Sequence, residues 1–391
     1  MPRFQQSAGR AGRTSTDGAA IGAGISPNDQ VYFESYANTG IHEEMIKDRS
    51  RMDTYQQAIM RNAAYISGCA VLDVGCGTGI LSIFCARAGA RKVYAVDASG
   101  IAEHAERIVA DNGFADVITV IRGKMEEVEL PEKVNVIVSE WMGYVLLYES
   151  MLDSVIYARD RWLNPGGLML PSVATLYINP VSDPELYENS IDFWQDVYGI
   201  NMTSLIPSAK KSVLSEPAVG LVSVENVLSW PAVIKRIDCT SATKDDVSRV
   251  EAAFKVTSMM MAELHGFVLW FDVNFPIRSE GSADVNMVAS AKQGQVEIET
   301  GTRSQDTGTL QGQNGSGKSD GMLTLSTGPE KQPTHWQQTI LYIDEPVRVD
   351  QDDVIEGKVQ LSRNAENERF IDVALDFRTG KVQGTKKFKM V

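Results

Sequence analysis

The chain is poor in cysteine and histidine, has no long apolar run and carries no excess of positive charge. Its four cysteines make no disulfide framework, which favours a reducing compartment, the cytoplasm or the nucleus. No stretch is long and apolar enough to form a signal core or to cross a bilayer, so no membrane partner is expected. The four histidines show no metal-ligand spacing, so no metal is expected. The net charge of −14 over 391 residues argues against nucleic acid as a direct partner.

A glycine-rich turn between a strand and a helix is the clearest feature of the N-terminal half. The apolar residues 70–74 predict a buried strand, residues 75–79 read GCGTG, and residues 80–88 predict an apolar helix. A strand, a glycine turn and a helix together begin a nucleotide-binding α/β unit. The spacing GxGxG, which lacks the last glycine of GxGxxG, is more typical of enzymes that use S-adenosyl-L-methionine than of dinucleotide enzymes.

A second predicted strand, at 92–96, ends in Asp97. A carboxylate at that strand end can bind both hydroxyls of a ribose, and the alternative is that Asp97 caps the helix that follows. Two more strands are predicted at 117–121 and 134–138, and Met125-Glu126 follow the first of these two. A helix at about 148–162 and a fifth strand at 168–170 are predicted next. Strands that alternate with helices predict a parallel, doubly wound sheet, whose ligands bind outside the carboxyl ends of the strands.

Two glutamates follow the strand at 134–138, in the segments SEWMGY (139–144) and YESM (148–151). Glu140 and Glu149 have aromatic and apolar neighbours, and carboxylates in such surroundings are costly to bury unless a cation meets them. The cation best matched to a pair of carboxylates is a planar guanidinium with five donors. The pair therefore predicts a pocket for an arginine side chain, whereas one glutamate alone would favour a loop that faces water.

The C-terminal half changes to the period of short strands, which predicts a β-barrel. The strands are expected at 174–178, 267–273, 338–343, 354–361 and 370–377. An aromatic-rich helical stretch at 184–198 interrupts them.

Two segments have the composition of flexible chain. The tail at 1–27 is rich in Gly, Ala and Ser and is predicted to be disordered, and 279–320 is predicted to be a flexible insertion. Within it, 312–319 satisfies the P-loop pattern GxxxxGK[ST]. No buried strand precedes this match and no helical period follows it, so we interpret it as a chance match.

Five motifs together are similar to those of one enzyme family. They are YFESY at 32–36, IHEEMIKD at 41–48, VLDVGCGTG at 71–79, SEWMGY at 139–144 and THW at 334–336. They resemble the protein arginine N-methyltransferases, and most of all the plant type I members related to the class-six enzyme. The resemblance runs from about residue 31 to the C-terminus. Asp97 stands where many animal members have Glu, and Cys76 where many have Ser; the shorter aspartate keeps the chemistry.

The resemblance implies a fold and an assembly. The expected fold class is α/β: N-terminal helices and a Rossmann-like S-adenosylmethionine-dependent methyltransferase domain over 28–171, then a β-barrel domain over 172–391. A helical arm at about 184–208 is expected to make a head-to-tail homodimer.

The resemblance also assigns roles to residues, among them a pairing of Asp48 with His335 that serves either structure or proton transfer. The implied catalytic residues are Glu140, Glu149, His335 and Asp48. The implied cofactor-binding residues are His42, Arg51, Asp73, Gly75, Gly77, Asp97, Met125 and Glu126. The implied substrate-pocket residues are Tyr36, Met45, Met151 and Trp336. Residues 41–66 have a helical apolar period, which predicts that Met45 and Asp48 share a side of one helix. On such a helix Arg51 either holds the carboxylate of the cofactor or is solvated.

The implied reaction transfers methyl groups from S-adenosyl-L-methionine to arginine in proteins, with histones and RNA-binding proteins as plausible partners. Methionine at Met45 accompanies asymmetric dimethylarginine in the family, so monomethyl- and asymmetric dimethylarginine are expected. Two rivals are a methyltransferase for small molecules and a catalytically silent reader of arginine peptides. The glutamate pair and the motif at 334–336 argue against the first rival. The intact Gly75, Gly77 and Asp97, with both glutamates, argue against the second.

Overall fold

The structure is a computed structural model that describes residues 26–278 and 321–391. It contains a group of N-terminal helices, one parallel sheet and two antiparallel sheets. The predicted tail up to residue 25 lies outside the described residues. So do the predicted flexible insertion at 279–320 and its P-loop-like match at 312–319.

Four helices precede the first strand, and polar residues begin three of them. They are α1 (Pro27–Ser35), α2 (Thr39–Lys47), α3 (Arg49–Arg61) and α4 (Ala63–Ile66). The side chains of Ser26, Asn38 and Asp48 accept the backbone N–H groups that open α1, α2 and α3. The expectation of one helical period over 41–66 was wrong. Asp48 has an extended ψ of 94°, which ends α2, and the side chain of Asp48 then caps the start of α3. Met45 and Asp48 therefore do not share one helix face.

The α/β part forms a five-stranded parallel sheet in the order β3-β2-β1-β4-β5. Its elements are β1 (Ala70–Val74), α5 (Ile80–Arg87), β2 (Lys92–Asp97), α6 (Ala102–Asp111), β3 (Ile118–Arg122), β4 (Val134–Val138), α7 (Leu152–Trp162) and β5 (Leu163–Leu170). All five residues of the central strand are buried, as a parallel strand covered on both faces requires. This arrangement confirms the predicted Rossmann-like sheet.

Two boundaries differ from the sequence-based expectation. The last helix was expected from about residue 148, but α7 begins at Leu152 because Glu149 and Ser150 have φ of +75° and +58°. A left-handed backbone cannot continue a right-handed helix. The fifth strand was expected at 168–170, whereas β5 already begins at Leu163 and includes the Asn-Pro-Gly-Gly segment.

The C-terminal part consists of two antiparallel sheets that enclose a core. Its elements are β6 (Val173–Val181), α8 (Pro184–Ser190), α9 (Ile206–Leu214), β7 (Ala218–Gly220), β8 (Ala232–Asp238), α10 (Lys244–Ser248), β9 (Arg249–Thr257), β10 (Ala262–Pro276), β11 (Met322–Ser326), β12 (Gln338–Val349), β13 (Val354–Arg363), β14 (Ile371–Arg378) and β15 (Gln383–Met390). One sheet has the order β7-β12-β10-β6-β8, with β11 also paired to β10, and the other has the order β15-β14-β13-β9. The buried Phe267 of β10 meets Phe254 and Phe377 of the opposite sheet, with ring centroids 5.4 and 5.6 Å apart. Contacts of β8 with β9 and of β12 with β15 join the sheets at their sides, which gives the expected barrel.

The helical insertion after β6 packs one side on the barrel and exposes the other. Leu186, Tyr187 and Ile191 are buried in a cluster with side chains of β10 and β12. The helix expected over 184–198 ends at Ser190, and a 3-10 turn follows at Asp192–Gln195. Beyond it, apolar side chains face solvent, among them Tyr198, which is fully exposed.

Helix α3 joins the parallel sheet to the barrel. The ring of Tyr55 packs edge-on against Phe275 of β10 at 4.8 Å, and its hydroxyl donates to the carbonyl of Ser139 at 2.9 Å. Asn62 donates to the carbonyl of Pro276. The barrel is thereby held against the carboxyl ends of β1 and β4.

Candidate active site

One cavity of about 440 Å³ lies where the carboxyl ends of the parallel strands, the N-terminal helices and the barrel meet. This volume is in the range of small-molecule sites. Fourteen of the sixteen site residues expected from the sequence line it. They are Tyr36, His42, Met45, Arg51, Gly75, Gly77, Asp97, Met125, Glu126, Glu140, Glu149, Met151, His335 and Trp336. The exceptions are Asp48 and Asp73.

The glycine turn after β1 needs glycine for its backbone. Gly75, Gly77 and Gly79 have φ of +70°, +54° and +80°, the left-handed region that favours glycine. A Cβ on Gly75 would lie 2.2 Å from Cε of Met151, so the flexible end of that side chain would have to move. The terminal methyl group of Met151 therefore lies against the turn at the end of β1.

Asp97, at the end of β2, is held by backbone and hydroxyl donors. Its Oδ2 accepts the N–H of Gly77 at 2.8 Å, and its Oδ1 accepts the N–H and the hydroxyl of Ser99 at 2.8 and 2.7 Å. Helix α6 begins five residues later, at Ala102, so Asp97 is not its N-cap. The carboxylate lines the cavity with its orientation fixed.

Asp73 lies beneath the turn and does not line the cavity. Its side chain is fully buried, its Oδ2 accepts the hydroxyl of Ser82 at 2.6 Å, and its Oδ1 has no partner. Burial raises the pKa of Asp73 to about 7. Asp73 was expected among the cofactor-binding residues. Its side chain lies within the sheet instead, where it supports the turn from below.

Glu140 is held by a cation. Its Oε2 accepts Nε and Nη2 of Arg51 at 3.0 and 2.8 Å, and its Oε1 accepts the N–H of Met142 at 3.1 Å. Both side chains of the Arg51–Glu140 pair are only 8% exposed. Arg51 is thus neither solvated nor restricted to one partner, since it also donates to the carbonyl of Met45 at 3.0 Å.

Glu149 is held by neutral hydroxyls. Its Oε2 accepts the phenol groups of Tyr32 at 3.1 Å and Tyr36 at 2.7 Å, and no hydrogen bond from the described residues reaches Oε1. Burial raises the pKa of Glu149, the nearby Glu140 raises it further, and the tyrosine hydrogen bonds offset only part of this. The nearby guanidinium of Arg369 also lowers the pKa, so the cavity contains a carboxylate whose charge is only partly offset.

The expected pairing of Asp48 with His335 is present. Nδ1 and the backbone N–H of His335 lie 2.8 and 2.9 Å from Oδ2 of Asp48, whose Oδ1 accepts the N–H of Arg51. Burial alone would raise the pKa of Asp48, but these hydrogen bonds together lower it. Asp48 does not line the cavity itself, but its hydrogen bonds hold His335 in the cavity wall.

The remaining walls contain soft side chains and one further carboxylate. Met45 and Met151 line the cavity, with the end of Met151 against Gly75, and Met125 is buried just after β3. Glu126 accepts the hydroxyl of Ser154 at 2.8 Å. Trp336 donates its indole N–H to the carbonyl of Met142 at 2.9 Å, which fixes the barrel to the loop of Glu140.

Sequence reasoning missed two groups that hold Glu149. Tyr32 was quoted within a motif but given no role, although its spacing of four from Tyr36 places both on one helix face. Arg369 was not noticed, and it bonds the backbone of Glu149 from 220 residues away. No local pattern in the sequence marks it.

The described residues contain no cluster of side chains suited to a metal ion and no helix long and apolar enough to cross a membrane.

Comparisons with known proteins identify both halves of the chain. Residues 71–167 match the family model of a methyltransferase domain, and residues 172–292 and 315–382 match that of the arginine methyltransferase oligomerization subdomain. The chain is 52% identical over 349 residues to a probable protein arginine N-methyltransferase 6 of Arabidopsis thaliana, covering 89% of this chain and 79% of that protein. It is 48% identical over 372 residues to probable protein arginine N-methyltransferase 6.1 of Oryza sativa subsp. japonica, covering 95% and 91%. A solved Trypanosoma brucei PRMT1 enzyme–prozyme heterotetrameric complex with AdoHcy is similar with a TM-score of 0.74 and 34% identity, covering 92% of this chain and 100% of that chain.

Proposed function

Because the chain belongs to the protein arginine N-methyltransferase family, we propose that it transfers methyl groups from S-adenosylmethionine to guanidino nitrogens of arginine in proteins. One observation carries this proposal. Glu140 and Glu149 line the same cavity as the glycine turn, and the charge of Glu149 there is only partly offset. A nucleotide site and a cation site thus share one space.

The residues at the strand ends fit a nucleoside with an amino-acid tail. Gly75 and Gly77 line the cavity without side chains, and the oriented carboxylate of Asp97 suits the ribose hydroxyls. Met125 and Glu126 form the wall at the end of β3, where the base would lie. Arg51 offers a cation for the carboxylate of the tail. When bound, S-adenosylmethionine supplies an electrophilic methyl group.

The glutamates have different tasks because they are held by different partners. Oε1 of Glu149 accepts hydrogen bonds from the incoming guanidinium, and the negative charge of Glu149 balances the positive charge of that group. Glu140 is already paired with Arg51. The lone pairs of Glu140 that remain accept hydrogen bonds from the same guanidinium and fix its plane. Together they orient the reacting nitrogen and keep positive charge away from it.

We assign the Asp48–His335 pair a structural role. Asp48 caps α3 and receives two donors from His335, so one carboxylate joins the N-terminal helices to the barrel beside the cavity. The proton released after transfer leaves without a dedicated base.

We infer a type I product pattern, monomethyl- and asymmetric dimethylarginine. Met45 and Met151 line the same cavity as the two glutamates. Unbranched methionine fills space beside a methylated nitrogen that returns to the same orientation for a second transfer.

We further propose that the active form is a homodimer built through the helical insertion at about 184–208. The exposed apolar side chains Phe193, Tyr198 and Ile200 support this role, as does the oligomerization subdomain that the sequence matches. Basic, arginine-rich proteins such as histones suit the net charge of −14. Four free cysteines suit the cytoplasm or the nucleus.

The test is a transfer assay with labelled S-adenosylmethionine and a panel of histone and Gly/Arg peptides. Label is expected on arginine in the wild-type reaction, with fragmentation spectra of asymmetric dimethylarginine. The matched control is Glu149→Gln, which keeps the shape of the pocket and removes its charge. Label on small molecules only, or equal labelling by the control, would overturn the proposal.

A further inference from the structure

The connection between β13 and β14 reaches out of the barrel to the turn that carries Glu149. Arg369 accepts the N–H of Glu149 through its backbone carbonyl at 2.7 Å, and its Nη1 donates to the carbonyl of Glu149 at 2.8 Å. The next residue, Ser150, donates its hydroxyl to the carbonyl of Glu368 at 2.6 Å. Both backbone polar groups of Glu149 are therefore bound by one residue of the barrel.

These two hydrogen bonds of Arg369 matter because the turn at Glu149 has an unfavourable backbone conformation. Glu149 and Ser150 have φ of +75° and +58°, which residues other than glycine adopt rarely and only when their surroundings hold them there. Without external partners, the turn would relax toward ordinary backbone angles. The carboxylate of Glu149 would then leave the cavity wall.

The same guanidinium also holds helix α1. Its Nε and Nη2 donate to Oδ1 of Asp29, and its carbon lies 3.9 Å from the ring centroid of Tyr32. Asp29 is 6% exposed and also pairs with Lys124 at 2.8 Å. Tyr32 in turn donates its hydroxyl to the carboxylate of Glu149. Arg369 thus bonds to the backbone of Glu149 and also to α1, the helix whose Tyr32 bonds to the side chain of Glu149.

We propose that Arg369 is a positioning residue that fixes the carboxylate of Glu149 from both sides, through the backbone of the turn and through α1. This inference rests on the proposed function, since it concerns how the substrate-binding glutamate is oriented. Arg369 also lines the cavity, and its contacts with Glu149 and α1 are the ones through which it would act.

The variant Arg369→Lys keeps the positive charge beside Asp29. It loses the guanidinium, whose nitrogens bond to the carbonyl of Glu149 and to Asp29 of α1 at the same time. Its kcat with a peptide substrate is expected to fall about 10- to 100-fold, the effect of losing a hydrogen bond to a charged donor. The dissociation constant for S-adenosylhomocysteine is expected to change less than about threefold, because the glycine turn and Asp97 are untouched.

Arg363 provides a matched control in the same part of the barrel. It makes a forked pair with Asp153 at 2.8 and 2.6 Å, with both side chains 20% exposed, and it contacts neither Glu149 nor α1. Arg363→Ala removes a comparable contact between the domains. Its kcat is expected to stay within about threefold of the wild-type value.

The pH profile separates positioning from general loss of structure. Arg369 lowers the pKa of Glu149 from the raised value that burial gives it. Arg369→Ala should therefore shift the acidic limb of kcat/KM to higher pH, Arg369→Lys should shift it less, and Arg363→Ala should leave it in place. Equal profiles for Arg369→Ala and Arg363→Ala at equal folded fraction would overturn the proposal.

Hydrogen exchange gives a readout that does not depend on activity. Arg369→Lys should speed amide exchange in both 27–36 and 149–151, whereas Arg363→Ala should leave both slow. If the wild-type protein methylates no arginine, the proposed function fails, yet this exchange result still decides whether Arg369 holds the turn. Unchanged exchange in either segment of Arg369→Lys would refute the coupling.

Discussion

Glu140→Gln and Glu149→Gln should have the same effect on activity and opposite effects on stability. Each variant keeps the shape of the side chain and removes one negative charge from the wall of the cavity. Loss of one preorganised electrostatic contact reduces transition-state stabilisation by about 2–4 kcal/mol, so both variants should lose activity about 30- to 1000-fold. Their folded states differ because Arg51 neutralises Glu140, whereas tyrosines bind Glu149.

Glu140→Gln leaves a cation without its partner. Arg51 and Glu140 are both 8% exposed and share two hydrogen bonds, so the substitution turns charge-assisted bonds into neutral ones and keeps the guanidinium buried. A hydrogen bond to a charged group contributes about 1 kcal/mol more than a neutral one. With the uncompensated charge, the free energy of unfolding should fall by about 2–3 kcal/mol, and Tm by about 3–5 °C.

Glu149→Gln removes a charge that the folded state disfavours. Burial raises the pKa of Glu149 above its ordinary value, so the folded protein binds a proton there more readily than the unfolded chain does. The wild-type protein therefore loses stability as pH rises from the ordinary glutamate pKa through the raised one. Glutamine does not titrate, so at pH 8 the variant should have a Tm equal to the wild-type value or up to about 3 °C higher.

Differential scanning calorimetry at pH 8 and pH 5 checks both signs. The advantage of Glu149→Gln should shrink as pH falls through the raised pKa of Glu149, because the wild-type carboxyl then binds a proton and loses the buried charge. Circular dichroism establishes that each variant is folded before activity is compared. A Tm of Glu149→Gln clearly below the wild-type value at pH 8, or an unchanged Tm of Glu140→Gln, would refute the assignment of the two glutamates to different partners.

Three further variants test other parts of the molecule. Met45→Phe should lower the rate and admit some symmetric dimethylarginine, which mass-spectrometric neutral losses distinguish; mainly symmetric product from the wild-type enzyme would refute the type I assignment. Phe193→Asp combined with Tyr198→Ser should give a monomer of low activity by light scattering, and an unaltered mass would exclude these side chains as the contact. Asp48→Asn should reduce the free energy of unfolding by about 2–3 kcal/mol without moving the pH profile of kcat, because hydrogen bonds of Asp48 to His335 and the start of α3 are weakened; a shifted profile at full stability would favour proton transfer.

The sequence predicted the parts of the site that are local in the chain. Gly75 and Gly77 are followed within a few residues by the helix that confirms their context, and Asp97 directly ends a strand of apolar residues. Glu140 and Glu149 lie close together after β4. Strand order then brings these residues to one edge, because all five strands of the sheet are parallel.

Apart from the pairing of Asp48 with His335, which the family resemblance implied, the sequence did not predict the contacts that cross the domains. Arg369 meets Asp29 from 340 residues away, and neither residue lies in an apolar pattern that would mark it. Strands were also missed where the outer face of the barrel carries charge. In β15, Phe388 and Met390 are the two buried residues, and three of the other six are lysines. The apolar period of this strand was therefore too weak to detect.

The two glutamates differ in what their partners leave available. Arg51 neutralises Glu140 and fixes it, which gives the cavity a rigid acceptor at little net charge. Tyr32 and Tyr36 orient Glu149 with hydroxyl groups that donate hydrogen bonds but carry no charge. Arg369 offsets part of the negative charge of Glu149, but the pKa of this carboxyl stays raised. The charge is therefore oriented but only partly compensated, and it destabilises the folded protein until a further cation arrives. A guanidinium that enters the cavity supplies that cation, so part of its binding energy comes from relieving a burial penalty that the empty fold already carries.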